Sequence, residues 1–96
     1  MQLEWTPRAR EERGAAIEYI ALSNPTAALD QLDKIERQTN MLLQHPEIGQ
    51  PGRKQGTRDL VIVRTNFIVV YRFKPKTEHI VILRVLHTSQ DYTNKT

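Results

Sequence analysis

Polar and apolar residues change rhythm several times along the chain. Gln2-Leu3-Glu4-Trp5 alternates, which predicts a short strand at a sheet edge. From Thr6 the spacing turns helical: Ala9, Arg13, Ala16, Ile17, Ile20 and Ala21 recur on one side. Thr6 reads as an N-cap and Pro7 as the first helical position, so a helix is expected over residues 7–22. Arg13 interrupts the apolar stripe, and its stem can lie along it while the charge reaches water. Ser23-Asn24-Pro25 stops this helix and starts another, with Asn24 as cap. Ala28, Leu32, Ile35, Thr39 and Leu42 then form a narrow seam, and Pro46 forbids continuation. Two helices joined by so short a turn form an antiparallel hairpin.

Residues 47–56 hold Gly49, Pro51, Gly52 and Gly56 and read as a loop that exposes Arg53 and Lys54. Three β-rich runs follow, at about 58–63, 67–73 and 79–87. Their short gaps predict an antiparallel meander. A two-residue Thr65-Asn66 turn would force a β-branched residue to positive φ, so a three-residue loop, Arg64-Thr65-Asn66 with Asn66 left-handed, is expected. Val63 then faces Phe67, and odd-numbered residues share a face: Val61, Val63, Phe67, Val69, Tyr71, Phe73, Val81, Leu83 and Val85. This nearly all-apolar face is expected against the helices.

The opposite face would carry Arg58, Leu60, Ile62, Ile68, Val70, Arg72, Ile80, Ile82, Arg84 and Leu86. Two helices cover only one side of a sheet. The second side is therefore expected to stay open, aliphatic and studded with arginine, as binding surfaces are. The competing expectation is that the arginines reach water at strand ends while the first strand or the tail, residues 88–96, covers the aliphatics. Either way the fold class is α+β. One domain spans residues 1–96, with an N-terminal strand and a two-helix hairpin packed on a twisted, mostly antiparallel sheet of about four strands.

Composition narrows the function. A chain of 96 residues builds one core, and 39% hydrophobic with 26% charged residues is ordinary for a globular domain. No apolar run approaches the roughly 20 residues that span a bilayer. Met1-Gln2-Leu3-Glu4-Trp5 lacks the features of a signal peptide, so no membrane role and a cytoplasmic location are expected. There is no cysteine, and His45, His79 and His87 follow no metal-ligand spacing, so neither metal nor cofactor is expected. Charge is divided unevenly. Residues 1–50 carry 5 basic and 8 acidic side chains, net −3; residues 51–96 carry 9 and 3, net +6. The second half therefore suits either solvent or an anionic partner, whether nucleic acid or an acidic protein segment.

Nucleophile elbows and nucleotide-binding loops are absent, and Glu11-Glu12 and Asp30-Asp33 read as helix-surface carboxylates that aid solubility. What is left is metal-free attack on a phosphodiester, which needs a base, an acid and cations for the developing charge. Arg58, Arg72 and Arg84 could supply charge, with His87, Gln90 and Tyr92 near the end of the last strand. His87 has odd parity and should face the helices, which suits a core-edge residue better than a base.

The segments Gly56-Thr57-Arg58-Asp59-Leu60-Val61, Asn66-Phe67-Ile68-Val69-Val70-Tyr71-Arg72 and Ile82-Leu83-Arg84-Val85-Leu86-His87-Thr88 resemble the RelE/ParE superfamily, especially its plasmid-stabilisation toxins. The order of strand, hairpin and meander agrees. The resemblance covers nearly the whole chain. It implies the toxin of a type II toxin–antitoxin system, which inhibits growth and is neutralised by a cognate antitoxin. Operator DNA would be reached only through that antitoxin. RelE-like members cleave messenger RNA on the ribosome with a Lys/Arg cluster and a C-terminal Arg and Tyr. Here the equivalent strand reads Leu60-Val61-Ile62-Val63-Arg64, without a lysine pair, and Phe67-Ile68 stands where Tyr-Arg is expected. Arg64, Arg84 and Tyr92 could stand in, with His87 as a further catalytic candidate. ParE-like members act on DNA gyrase and often end the last strand in Leu-His, as Leu86-His87 does here. The resemblance therefore points to a gyrase-directed toxin without catalysis. The alternatives are a ribosome-dependent mRNA endonuclease and a non-toxic binding module of the same fold.

Overall fold

The structure, a computed structural model, describes residues 1–88. Strand β1 (Gln2–Trp5) leads into helix α1 (Pro7–Ala21), and α2 (Pro25–Asn40) ends in a 3-10 turn at Met41–Leu43. Strands β2 (Gln50–Pro51), β3 (Arg58–Val61), β4 (Phe67–Lys74) and β5 (His79–His87) follow. The sheet order is β1-β5-β4-β3-β2, with β1 parallel to β5 and the other pairs antiparallel. The two-residue β2 makes five strands rather than about four. Among the described residues, no helix is long and apolar enough to cross a membrane.

Local chemistry accounts for the helices. Ala9 N donates to Thr6 Oγ1 at 3.1 Å, and Ala27 N to Asn24 Oδ1 at 3.0 Å, so both helices are capped as their sequences predict, each with proline in the first turn. The α2 seam packs inward: Ala28, Ile35, Thr39 and Leu42 are buried. They join Leu60, Ile62, Phe67, Val69, Tyr71, Ile80, Ile82 and Val85 from the sheet. Arg13 does not simply run out to water. Its guanidinium stacks over Trp5, 4.4 Å from the ring centroid, where cation and ring attract.

The sheet departs from the expected face assignment in two places. The first is the β3–β4 turn. Ile62 N donates to Phe67 O, so four residues rather than three make the connection, and Arg64, not Asn66, is left-handed at φ 67°. One added loop residue moves β3 by one position and exchanges its faces. Leu60 and Ile62 are therefore buried, whereas Val61 and Val63 are 53% and 62% exposed. The second is in β5. Val70 pairs with Arg84 but Tyr71 with Ile82, which leaves Leu83 as the extra residue of a β-bulge. Parity reverses across it. Ile80 and Ile82 point into the core below the bulge, and Val85 does so above it.

Tyr71 ties the long loop to this sheet. Its hydroxyl donates to Pro46 O at 2.8 Å and accepts from Gly49 N at 3.0 Å. Burial raises its pKa above the usual tyrosine value. A Cβ on Gly49 would lie 2.7 Å from the Tyr71 ring, so only glycine lets the loop pass this close.

Candidate functional site

The side of the sheet away from the helices is narrower than the sequence suggests. Leu60, Ile62, Ile80 and Ile82, expected there, belong to the core because of the two parity changes. Arg58 shares the parity of Leu60, and its Nη1 donates to the carbonyls of Gly49 at 2.8 Å and Glu47 at 3.3 Å. It holds the loop rather than offering a free charge. Ile68, Val70, Arg72, Arg84 and Leu86 stay on the outer side, where Leu83 joins them. Val70 and Leu86 are nonetheless buried, at 6% and 4% exposure, so this face is not bare.

A groove of about 400 Å³ crosses this face. Val70 and Leu83 give it an aliphatic lining, with Thr6 and Thr57 beside them. Arg8, Arg53, Lys54, Arg72 and Arg84 surround it. Three features of the fold bring these residues together. The bulge turns Leu83 and Arg84 to the same side. Thr6 N bonds to Ile82 O and Thr6 Oγ1 to Leu83 O, which anchors the start of α1, and with it Arg8, at the bulge. The loop before β3 folds alongside β4, where a Cβ on Gly56 (φ 84°) would sit 2.8 Å from Arg72 Nη1. The positive φ favours glycine here, and the end of the flexible Arg72 side chain lies against it.

The cations differ in how they are used. Glu12 of α1 receives Arg84 in a bidentate pair, with Nε at 2.9 and 3.1 Å and Nη2 at 2.7 Å. The same carboxylate accepts from Val85 N at 3.0 Å. Burial alone would raise the Glu12 pKa, but the Arg84 bonds, the Val85 amide and the charges of Arg84 and Arg8 together bring it below the ordinary carboxylate value. Arg8 lies 3.8 Å from Glu12 at an exposed position. The side chains of Arg72 and Lys54 form no hydrogen bond or ion pair among the described residues. Glu12 therefore has a structural task that its helix-surface position in the sequence did not signal.

The catalytic candidates are dispersed. Arg84 borders the groove but is held by Glu12. Arg64 lies in the β3–β4 turn and does not line the groove. His87 stacks edge-on against the buried Phe67 ring, with centroids 5.3 Å apart, on the helix side of β5. Gln90 and Tyr92 lie outside the described residues.

Comparison with known proteins adds lineage to this geometry. Residues 3–92 match the family model described as the ParE toxin of the type II toxin–antitoxin system parDE. The chain is 32% identical over 91 residues to the Sinorhizobium fredii protein named "Putative toxin Y4kP", covering 95% of this chain and 92% of that one. Among solved structures it is similar to one from the chromosomal ParDE system of P. aeruginosa, with 27% identity, a TM-score of 0.82 and coverage of 93% of this chain and 97% of that chain. The RelBE2 toxin–antitoxin complex of Mycobacterium tuberculosis shares the fold at a TM-score of 0.62 and 24% identity, over 90% and 95% of the two chains. A YoeB/ParE toxin from Agrobacterium tumefaciens shares it at 0.61 and 16%, over 91% and 98%.

Proposed function

This chain belongs to the ParE toxin family of type II toxin–antitoxin systems, and from that premise we propose that it arrests growth by binding DNA gyrase, not by cutting RNA. A co-expressed antitoxin would hold it silent by covering the outer side of the sheet. Fold and family do not by themselves give a target. The observation that supports a non-catalytic reading is the dispersal of the candidate groups. A base, an acid and charge-stabilising cations must converge on one phosphodiester. Arg64 and His87 do not line the groove that Arg84 borders, and the Arg84 guanidinium is occupied by Glu12. The departures in the β3 segment, Leu60-Val61-Ile62-Val63 without a lysine pair, support the same reading.

The test uses the purified chain in two assays. It is expected to inhibit gyrase-catalysed supercoiling, to be relieved by the antitoxin encoded beside it, and to leave ribosome-bound messenger uncut in primer extension. Unimpaired supercoiling at excess protein rejects the reading. Messenger cleavage that disappears in Arg84→Ala replaces it with the endonuclease.

A further inference from the structure

We propose that the tip of the β4–β5 hairpin, with the turn that lies beside it, is a direct contact surface for the phosphate backbone of duplex DNA, with Lys54, Arg72, Lys74 and Lys76 as its cations. This goes beyond the gyrase reading and does not depend on it.

Local structure brings the four charges to one end of the sheet. Arg72 and Lys74 are two positions apart on β4, on the side away from the helices, and so about 6.7 Å apart along the strand. The chain then turns: Glu78 N donates to Pro75 O at 3.2 Å, and Glu78 is left-handed at φ 52°. Lys76 stands inside this turn and is exposed. A second turn lies against the same strand. Thr57 N and Thr57 Oγ1 both donate to Lys54 O, at 3.1 and 2.7 Å, which fixes Lys54 beside Arg72. Gly56 of that turn borders a recess of about 480 Å³ together with Arg72, Lys74 and Lys76.

Two observations choose the partner. The first is the lack of neutralisation. Of the five bases on the helices, Arg8, Arg13, Lys34 and Arg37 lie 3.8 Å or closer to a carboxylate. The side chains of Lys54, Arg72, Lys74 and Lys76 form no hydrogen bond or ion pair among the described residues. Carboxylates on the β1 side of the tip are engaged: Glu78 lies 3.9 Å from the N-terminal ammonium and Glu4 2.6 Å from His79 Nε2. Asp59 on β3 is not free either. Like charges left together repel one another, and a polyanion that offers one charge to each relieves them all.

The second observation is the make-up of the surface. Three of the four cations are lysines, and Lys74, Pro75, Lys76 and Thr77 are all exposed. Protein–protein contacts are depleted in lysine and are anchored by aromatic or arginine side chains in desolvated pockets. Phosphate backbones are gripped by flexible lysines and arginines of this kind. Single strands also need rings on which unpaired bases stack. Phe73, which borders the recess, packs against the core instead of standing out as a platform. A duplex, whose bases are already stacked, asks only for the cations.

The experiment is fluorescence anisotropy of the whole chain with a short labelled duplex of mixed sequence, at salt concentrations from about 50 to 200 mM. Binding is expected to weaken with salt, with a log–log slope of about −3 to −4 for four phosphates. The Lys74→Ala, Lys76→Ala double variant is expected to bind about tenfold more weakly at low salt and to reduce the slope by about 2. Lys54→Ala, in a separate turn, should reduce it by about 1. Lys34→Ala with Arg37→Ala removes the same net charge from α2 and is expected to change the slope by less than either. Absent binding at low salt, a slope unaltered by the tip variants, or an equal loss from the α2 pair would each overturn the proposal. So would tighter binding of the same sequence as a single strand, or displacement of the duplex by polyglutamate at lower charge concentration. The two readings fail separately. A chain that binds duplex and leaves supercoiling unimpaired refutes the gyrase reading alone. One that inhibits supercoiling and binds no duplex refutes the DNA surface alone.

Discussion

Between His79 and Ile82, β5 runs between two strands, β1 on one side and β4 on the other; between Arg84 and His87 it pairs, among the described residues, with β4 only. The two halves also bury opposite parities, Ile80 and Ile82 in the first and Val85 in the second. The change falls at Leu83, where β1 has just ended and α1 begins. A strand that loses its neighbour leaves outward N–H groups without partners, and such edges invite pairing with other chains. Here a side chain fills part of the vacancy: Glu12 takes the Val85 amide and holds Arg84 beside it. The lower half is thus a structural strand with its pairing complete. The upper half is a strand edge managed by one carboxylate, and the candidate groove opens beside it.

The strongest way to break this contrast is to exchange its parities. Ile82→Ala is expected to cost about 3 kcal/mol, as deletion of a fully buried branched side chain does, whereas the half-buried Val81→Ala should cost less than about 1 kcal/mol. Equal losses in urea denaturation would mean that the bulge does not set the faces.

Glu12→Gln probes the upper half. Losing a charged acceptor shared by Arg84 and Val85 N should cost about 2 kcal/mol near neutral pH. The pH dependence follows from linkage. The folded pKa of Glu12 lies below the unfolded one, so its contribution is complete above the unfolded value of about 4.3 and is lost as pH falls through the folded value. The difference between native protein and Glu12→Gln should therefore shrink in acid. A difference that stays constant from neutral pH to pH ~3 would remove the ionised carboxylate from the account.

The smallest expected effect concerns the turn that sets the parity of β3. Arg64 occupies left-handed backbone at φ 67°, which costs a side-chain-bearing residue about 1 kcal/mol. Arg64→Gly should raise the denaturation midpoint by a fraction of that cost and leave Leu60 and Ile62 protected from hydrogen exchange. A lowered midpoint would show that the arginine side chain contributes more to the turn than its backbone strain takes away.

Elements governed by neighbours in sequence were readable in advance. Thr6 and Asn24 bond to amides three residues away, the α2 seam is a periodicity, and Pro46 bars any helix from continuing past it by its own covalent structure. The strands themselves were readable too, from their β-branched runs. Their faces were not, because a face depends on the count of residues in one turn and on one bulge, and a change of one in either inverts the assignment. Of the residues around the groove, Val70, Arg72 and Arg84 were assigned to the outer face from the chain alone, the first two being on a strand whose parity holds throughout. Glu12 was not, since 72 positions separate it from Arg84, and nothing local to a helix-surface glutamate announces a strand edge opposite it.

Caps, periodicities, turn breakers and the run of hydrophobic strands are written into neighbouring residues, and with them the helical hairpin, the meander and the family. Which arginine is bound and which is available is not written there. That distinction arises where β1 stops short of the end of β5, so that an unpaired amide and a guanidinium draw in a carboxylate from α1. Long-range packing alone brings those groups within hydrogen-bonding distance.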